Sequence, residues 1–386
     1  MRSRNGEFGI FPRRSRKTVF YYYWVYEDTG KRKFRSTGKQ DYNEALKYCR
    51  SLQIKGQLHQ GTSYSFETYT KDFFDYEKCP HISNRLLRGY TYGKTWARRQ
   101  RSLLEKIIRP YFKDSDIRSI SSKMIDAFLL HLRKMKTGTK TLNHILATVK
   151  VIFNYAEKTN MMETNPTEGV RPFKITSMEK GVFTREELSL LFSSPEQSGI
   201  WTKPLHFLLN YLAATTGLRL GEIMALRPEN ISKTSITIEH SWNRLDGLKC
   251  TKTGKVRVVP ITPELGKALE NYICINNVSG FLFSANDGQT PIDHKVIYKH
   301  FGYALSKIGI NKELCKKRNI SFHSYRHTFN TMLLEAGVHP ETIRLITGHS
   351  ANMTARYSHI QLSNMPEIIE KLPVVNQNTL LNINTP

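Results

Sequence analysis

Acidic residues are the scarce class in this sequence. Among 386 residues, 33 Asp and Glu face 58 Lys and Arg, leaving a formal net charge of +25. A solvated basic face accounts for any single cluster, but an excess this large along a whole chain points to a polyanion, and nucleic acid is the natural one. Cysteine is also sparse. Cys49, Cys79, Cys250, Cys274 and Cys315 are odd in number and scattered, with no Cys-x-x-Cys pair. That argues against a disulfide framework and a zinc site and fits a reducing cytosol. The opening Met-Arg-Ser-Arg-Asn-Gly has no apolar segment, so no signal peptide is expected. No apolar run is long enough to span a bilayer, and no glycine-rich loop suggests ATP use. Internal repeats and low-complexity tracts are lacking as well.

What is present divides along the chain. Residues 1–62 read as a small sheet with one helix behind it. Val19-Phe-Tyr-Tyr-Tyr-Trp-Val-Tyr26 has the aromatic character of a strand, Asp28-Thr-Gly30 that of a turn, and Lys31–Ser36 that of a return strand. Tyr42–Gln60 has helical spacing, with Ala45, Leu46, Cys49 and Leu52 on one face. Arg13, Arg14, Arg16, Lys31, Lys33 and Arg35 crowd the strands and the arm leading into them, and are expected to meet DNA. A strand pair with a merely solvated face is the alternative. Residues 66–172 carry helical stripes: Leu103, Leu104, Ile107 and Ile108; then Met124, Ile125, Phe128, Leu129 and Leu132; then Ile145, Leu146, Val149, Ile152, Phe153 and Ala156. A helical bundle with a basic outer face, including Arg98, Arg99, Arg101, Lys134, Lys136 and Lys140, is predicted. Residues 173–182 read as a linker. From 183 to 372 a mainly helical domain with a small antiparallel sheet is expected, opening at the capping box Thr184-Arg-Glu-Glu187. Residues 373–386 form a polar tail. The fold class is therefore multidomain: sheet plus helix, all-α bundle, and mainly α domain.

The chemistry-bearing residues lie in this last domain. Leu205–Ala214 is an apolar helix broken by Thr216-Gly217, after which Leu218-Arg219-Leu-Gly-Glu222 restarts a helix. Arg219 then sits near a helix N-terminus, where an anion is favoured, with Glu222 one turn on to hold it. Alone, such a pair is usually a surface salt bridge. Three strands are predicted at Ile236–His240, Leu248–Thr251 and Val256–Pro260, with Lys252 at a hairpin tip beside Thr253-Gly254. A lysine there is a candidate general acid, or simply a solvated turn residue. His323 and Arg326, three apart at a helix start with Ser321 as N-cap, are expected on one face. Gly337 closes that helix, Pro340 opens the next, and Gly348 caps it just before His349. A lone histidine is commonly structural; two around an arginine are less so. Tyr357 is the candidate nucleophile. A phenol has a pKa of about 10 and needs cations nearby to attack a phosphodiester at neutral pH.

Taken together, Thr216-Gly-Leu-Arg-Leu-Gly-Glu-Ile, Thr251-Lys-Thr-Gly, His323-x-x-Arg326, Gly348-His349 and Met353-Thr-Ala-Arg-Tyr-Ser-His359 resemble the tyrosine recombinases, the phage-integrase family. They occur in the family's order. The helical segment looks like the family's core-binding domain and residues 1–62 are similar to its arm-type DNA-binding domain. The resemblance implies a site-specific DNA recombinase, an integrase of a phage or integrative mobile element. Arg219 and Arg326 would clamp the scissile phosphate, Lys252 protonate the departing 5′ oxygen, His323 assist proton transfer and His349 bond the phosphate. Glu222 would support the pocket, and Tyr357 would form a 3′-phosphotyrosyl link. No metal or cofactor is implied. Implied partners are double-stranded DNA at core and arm sites, three further copies in a homotetramer on synapsed DNA, an excisionase and a DNA-bending protein, with no membrane. The implied setting is the cytoplasm and nucleoid of a prokaryotic host. Tyr357 follows His349 by one residue fewer than is usual in the family. The competing readings are a Xer-like resolvase or invertase, a type IB topoisomerase, and a catalytically inactive DNA-binding homologue.

Overall fold

Aromatic strand formers begin the chain, and in the computed structural model they build a three-stranded antiparallel sheet in the order β1-β2-β3. The strands are Phe8–Ser15 (β1), Thr18–Tyr26 (β2) and Arg32–Ser36 (β3). The structure describes residues 8–15, 18–26, 32–54, 58, 65–162, 164–176, 179–192, 199–250, 254, 256–284, 286, 288–348 and 365–372. The chain forms two compact units, 1–176 and 177–386. The Asp28-Thr-Gly30 turn lies outside the described residues. β1 stands where the sequence suggested only an arm leading into the strands. Its Phe8 and Ile10 alternate inward, a short period-2 signal that Pro12 and the arginines after it obscure. Helix α1 (Tyr42–Ile54) packs Ala45, Cys49 and Leu52 against Phe8, Ile10, Tyr23 and Val25.

A separate core fills the rest of this unit. Its helices are α2 (Phe66–Thr70), α3 (Pro80–Leu87), α4 (Lys94–Leu103), α5 (Arg109–Phe112), α6 (Ser122–Lys134) and α7 (Thr139–Lys158). The predicted stripes supply that core, from Leu104 and Ile108 through Ile125 and Phe128 to Ile145 and Phe153. Leu104–Ile108 winds as a π turn just ahead of Pro110, which has no N–H to continue the α ladder. The basic outer positions Arg98, Arg99, Lys134, Lys136 and Lys140 are exposed, whereas Arg101 is bound to Asp75 and Glu105.

The second unit holds the largest core. It opens with α8 (Arg185–Phe192), capped as expected: Thr184 N–H donates to Glu187 and Glu187 N–H donates to Thr184 Oγ1. Helix α9 (Pro204–Thr216) runs buried through the middle and α10 (Leu220–Ile223) follows its break. Then come strands β4 (Ser235–Ile238), β5 (His240–Asn243), β6 (Gly247–Cys250) and β7 (Arg257–Pro260). The predicted trio of strands is thus four, in two pairs: β4 with β7 and β5 with β6. The run 235–243 breaks at Glu239 because its two halves serve different partners. Trp242 of β5 packs on Phe281, and β5 lies so close to α10 that a Cβ on Gly221 would strike Ser241 and Trp242. The expected hairpin tip at Lys252 and Thr253 lies outside the described residues.

Helices α11 (Pro263–Ile275), α12 (His294–Lys307), α13 (Lys312–Lys317), α14 (Ser324–Glu335) and α15 (Pro340–Thr347) complete the layers around α9. Each of α11 to α13 starts at a side-chain cap: Thr262, Asp293 and Asn311. Helix α14 starts two residues later than predicted. Ser321 donates its own N–H to Ser324 Oγ, so His323 is the N-cap residue. The short α16 (Met365–Glu370) buries Ile368 and, just beyond it, Leu372 in the core of its own unit. No helix among the described residues is long and apolar enough to cross a membrane.

Candidate active site

Two glycines in left-handed backbone build the floor of the site. Gly217 (φ 62°) ends α9, and a Cβ there would meet the Phe329 ring at 2.5 Å. The chain leaves it extended through Leu218 and Arg219, and Arg219 becomes the N-cap residue of α10. Glu222, one turn on, accepts from the Arg219 backbone N–H at 2.9 Å and from its guanidinium at 2.8 Å. This is not the surface salt bridge that its spacing resembles, because Glu222 is only 2 % exposed. Gly348 (φ 67°) ends α15 in the same way.

Arg326, on the first turn of α14, is 1 % exposed. Its guanidinium donates to the Gly217 carbonyl at 2.9 Å and to the Thr347 carbonyl. The Arg219 guanidinium donates to the Gly348 carbonyl at 2.9 Å. The two arginines predicted to act together therefore converge on the C-terminal turn of α15, from which the chain runs on to His349. Burial, and then the neighbouring Arg219, pull the Arg326 pKa down to about 9, while Glu222 pulls the other way. Arg326 Nε has no hydrogen-bond partner among the described residues.

A third guanidinium went unrecognised in the sequence. Arg257, at the start of β7, binds Glu222 through both its terminal nitrogens, at 3.1 and 2.7 Å. Its Nε donates to the Ile346 carbonyl at 2.9 Å. Its sequence signal was a single basic residue in an apolar strand, Val256-Arg-Val-Val-Pro260, that the period-2 pattern turns inward. Burial raises the Glu222 pKa, but Arg257 and then Arg219 outweigh it and hold the carboxyl below its ordinary value.

The remaining site predictions fare differently. His323 is exposed at the start of α14, its ring 4.9 Å from the His327 ring and edge-on to it. His323 is the N-cap residue, its carbonyl accepting from the Arg326 and His327 N–H groups, so its side chain stays at the exposed helix start while Arg326 is buried. Lys252, His349 and Tyr357 lie outside the described residues, as do Arg16 and Lys31 and the side chain of Arg14. The sheet splits the other cations. Lys33 and Arg35 pair with Val25 and Tyr23, whose side chains are buried toward α1, and are themselves half-buried. The opposite face carries Phe11, Arg13, Tyr22, Trp24, Arg32 and Phe34. Phe34 is 58 % exposed, the Arg13 guanidinium lies 5.7 Å from the Tyr22 ring centre, and that of Arg32 lies 4.3 Å from the Trp24 ring.

Residues 182–363 match the model of the phage integrase family. A tyrosine recombinase of Pseudothermotoga lettingae is 28% identical, over 67% of this chain and 85% of its own. The ICEBs1 integrase of Bacillus subtilis is 26% identical, over 71% and 76%. In fold, the chain is similar to lambda integrase, solved as a tetramer bound to a Holliday junction. The TM-score is 0.56 at 15% identity, covering 86% of this chain and 90% of that one. The phage integrase family model thus covers most of the C-terminal unit, and over two thirds of its length the chain is similar to tyrosine recombinases.

Proposed function

We propose that this chain is the integrase of an integrative mobile element, cutting and rejoining duplex DNA at a specific site through Tyr357. The observation that carries the reading is the charge balance beneath α15. Three guanidiniums, Arg219, Arg257 and Arg326, gather around one carboxylate, Glu222. The cluster keeps two positive charges in excess in a largely dry setting, where a phosphate, and still more its pentacoordinate transition state, supplies the missing negative charge. A guanidinium has five N–H donors. Arg326 spends two on carbonyls, and Arg219 spends two while its side chain stays 30% exposed. Each keeps donors for non-bridging oxygens.

In this reading the Tyr357 hydroxyl attacks phosphorus and gives its proton to His323, the 5′ oxygen leaves with a proton from Lys252, and a 3′-phosphotyrosyl bond forms. His349, next to a capped carbonyl cluster, bonds the phosphate, and His323 works at the rim. A 5′-hydroxyl from a partner duplex then attacks the phosphotyrosyl phosphorus and frees the phenol. Four protomers on two synapsed sites carry out the exchange. The chain divides into an arm-binding domain (1–62), a core-binding domain (66–172), a linker (173–182) and a catalytic domain (183–372). An excisionase and a DNA-bending protein assist in setting direction. The arm-type reading draws support from the outward sheet face, where arginines stacked on aromatic rings form a cationic, apolar surface that fits a DNA groove. The relation to ICEBs1 integrase favours an integrative element over a chromosome resolvase.

The test is Tyr357→Phe. It should bind a duplex spanning the joined ends of the element as tightly as the parent and form no covalent adduct on denaturing electrophoresis. An adduct with that variant would remove Tyr357 from the role.

A further inference from the structure

The three last carbonyls of α15 are each taken by a different guanidinium: Ile346 by Arg257, Thr347 by Arg326 and Gly348 by Arg219. The C-terminal end of a helix is electronegative and leaves its final carbonyls without intrahelical donors. Arg219 and Arg326 have donors left over for a phosphate, but Arg257 differs. Its side chain is 11% exposed, and all three of its nitrogens are engaged, two on Glu222 and Nε on Ile346. Its planar fork faces the carboxylate squarely, an arrangement that an ammonium cannot reproduce. A Cβ on Gly348 would meet the Arg257 guanidinium at 3.2 Å, so the fork also lies flat against the backbone that leads into His349.

We infer that Arg257 is a positioning residue for strand cleavage: its guanidinium ties Glu222, and through it Arg219, to the end of α15, fixing the distance between Arg219 and Gly348. The strand β7 is the rigid member, paired along its length with β4 and packed on α15. Without Arg257, Glu222 keeps only Arg219, which is half-open to water, and the α15 end loses one of its three ties. The gap between Arg219 and the end of α15 is then no longer fixed, although no group assigned to DNA is lost. The inference rests on the reading of Arg219 and Arg326 as the phosphate clamp.

The experiment uses the full chain and a nicked duplex cut from the joined ends of the element, which traps the covalent product. Single-turnover cleavage is followed against duplex concentration for Arg257→Met, Arg257→Lys, Glu222→Gln and the Met/Gln double variant, with thermal midpoints measured in parallel. The Met variant should cleave about 100-fold more slowly at saturating duplex, with half-saturation within about threefold of the parent, the split expected when alignment and not binding is lost. Lysine should recover only part of the rate. The double variant should be no slower than the slower single one, since both act through one network. The inference is overturned if the rate losses multiply, if half-saturation rises in step with the rate loss, if lysine restores the full rate, or if the loss merely follows the unfolded fraction. Where the Met variant does not accumulate as folded protein, the Lys variant alone decides between partial and full rate. Failure of the nucleophile assignment would show separately, as an adduct formed by Tyr357→Phe.

Discussion

Arginine is used in opposite ways in the N-terminal sheet and beneath α15. On the sheet, Arg13 and Arg32 lie across aromatic rings on the exposed face. Beneath α15, Arg326 and Arg257 are buried, bound to a carboxylate or to carbonyls, and too tightly engaged to follow a ligand. The sheet suits adaptable, salt-sensitive contact with a polyanion, where each cation contributes a little. The buried cluster suits chemistry, where fixed dipoles and charges must already stand where the transition state puts its negative charge. Loss of one arginine should therefore be severe in the second place and mild in the first.

The largest effect that would break this contrast is at Arg326. Arg326→Ala should lower the rate of covalent adduct formation by about 1,000-fold, roughly 4 kcal/mol of barrier, while duplex binding changes only a few-fold. Parallel losses in binding and cleavage, measured by gel shift and adduct trapping, would make Arg326 a backbone anchor like those expected on the sheet. Next comes Glu222→Ala. It leaves Arg257 and Arg219 without their shared carboxylate in a nearly dry site, and should cost about 3 kcal/mol of unfolding free energy by urea titration. A cost below about 1 kcal/mol would show that water reaches the pair. Smaller again is Gly217→Ala. A left-handed alanine costs about 1 kcal/mol, and the 2.5 Å approach to Phe329 adds to it, so about 2 kcal/mol is expected. An unchanged thermal midpoint would mean that the Phe329 ring moves aside freely.

The difference between the two regions also explains what could be read from the sequence. The glycine breaks at Gly217 and Gly348, the capping box at Thr184 and the helical stripes of the bundle are local, because caps and periodicity act within a turn or two. Arg219 and Glu222 were legible for the same reason, being one turn apart. Arg257 was not. Its partners lie 35 and 89 residues away, and no pattern within β7 marks an arginine that will face a carboxylate on α10. The pairing of β4 with β7 across the β5–β6 hairpin is nonlocal in the same sense. The split of the sheet cations was legible in principle, since Lys33 and Arg35 share the inward parity of strand β3, but the count of positive charges drew attention away from alternation.

A pH measurement sharpens the contrast at a third place in the second unit. His206, at the start of α9, and His300, on α12, stack with ring centres 3.6 Å apart, and both Nδ1 atoms lie 3.1 Å from Thr202 Oγ1. Burial, then His300 and Lys203, push the His206 pKa down to about 4, and burial with Lys299 and Lys203 lowers His300 as well. A histidine kept neutral in the fold titrates near 6.5 once unfolded, so the unfolded chain takes up protons first as pH falls. The stability this pair provides is therefore complete above pH 6.5 and is lost progressively toward pH 4. Urea midpoints should fall between pH 7 and 5, and His206→Gln should flatten that part of the profile. A variant whose profile overlays the parent would refute the buried neutral pair.

The smallest expected effect is on the sheet itself. Arg13 is exposed, stacks on Tyr22 and shares its face with Phe11, Trp24, Arg32 and Phe34. If it neutralises one phosphate of an arm-type site, Arg13→Ala should weaken binding to duplexes of any sequence alike and reduce the slope of log affinity against log salt by about 0.9. The rate of cleavage of a short core duplex should not move, because nothing in the arginine cluster beneath α15 depends on the sheet for its charge or its carbonyl partners. An unchanged salt slope would leave the outward face without a phosphate contact at Arg13. A fall in core cleavage to match the fall in arm binding would go further, since the exposed and buried arginines would then be working as one site and not as two.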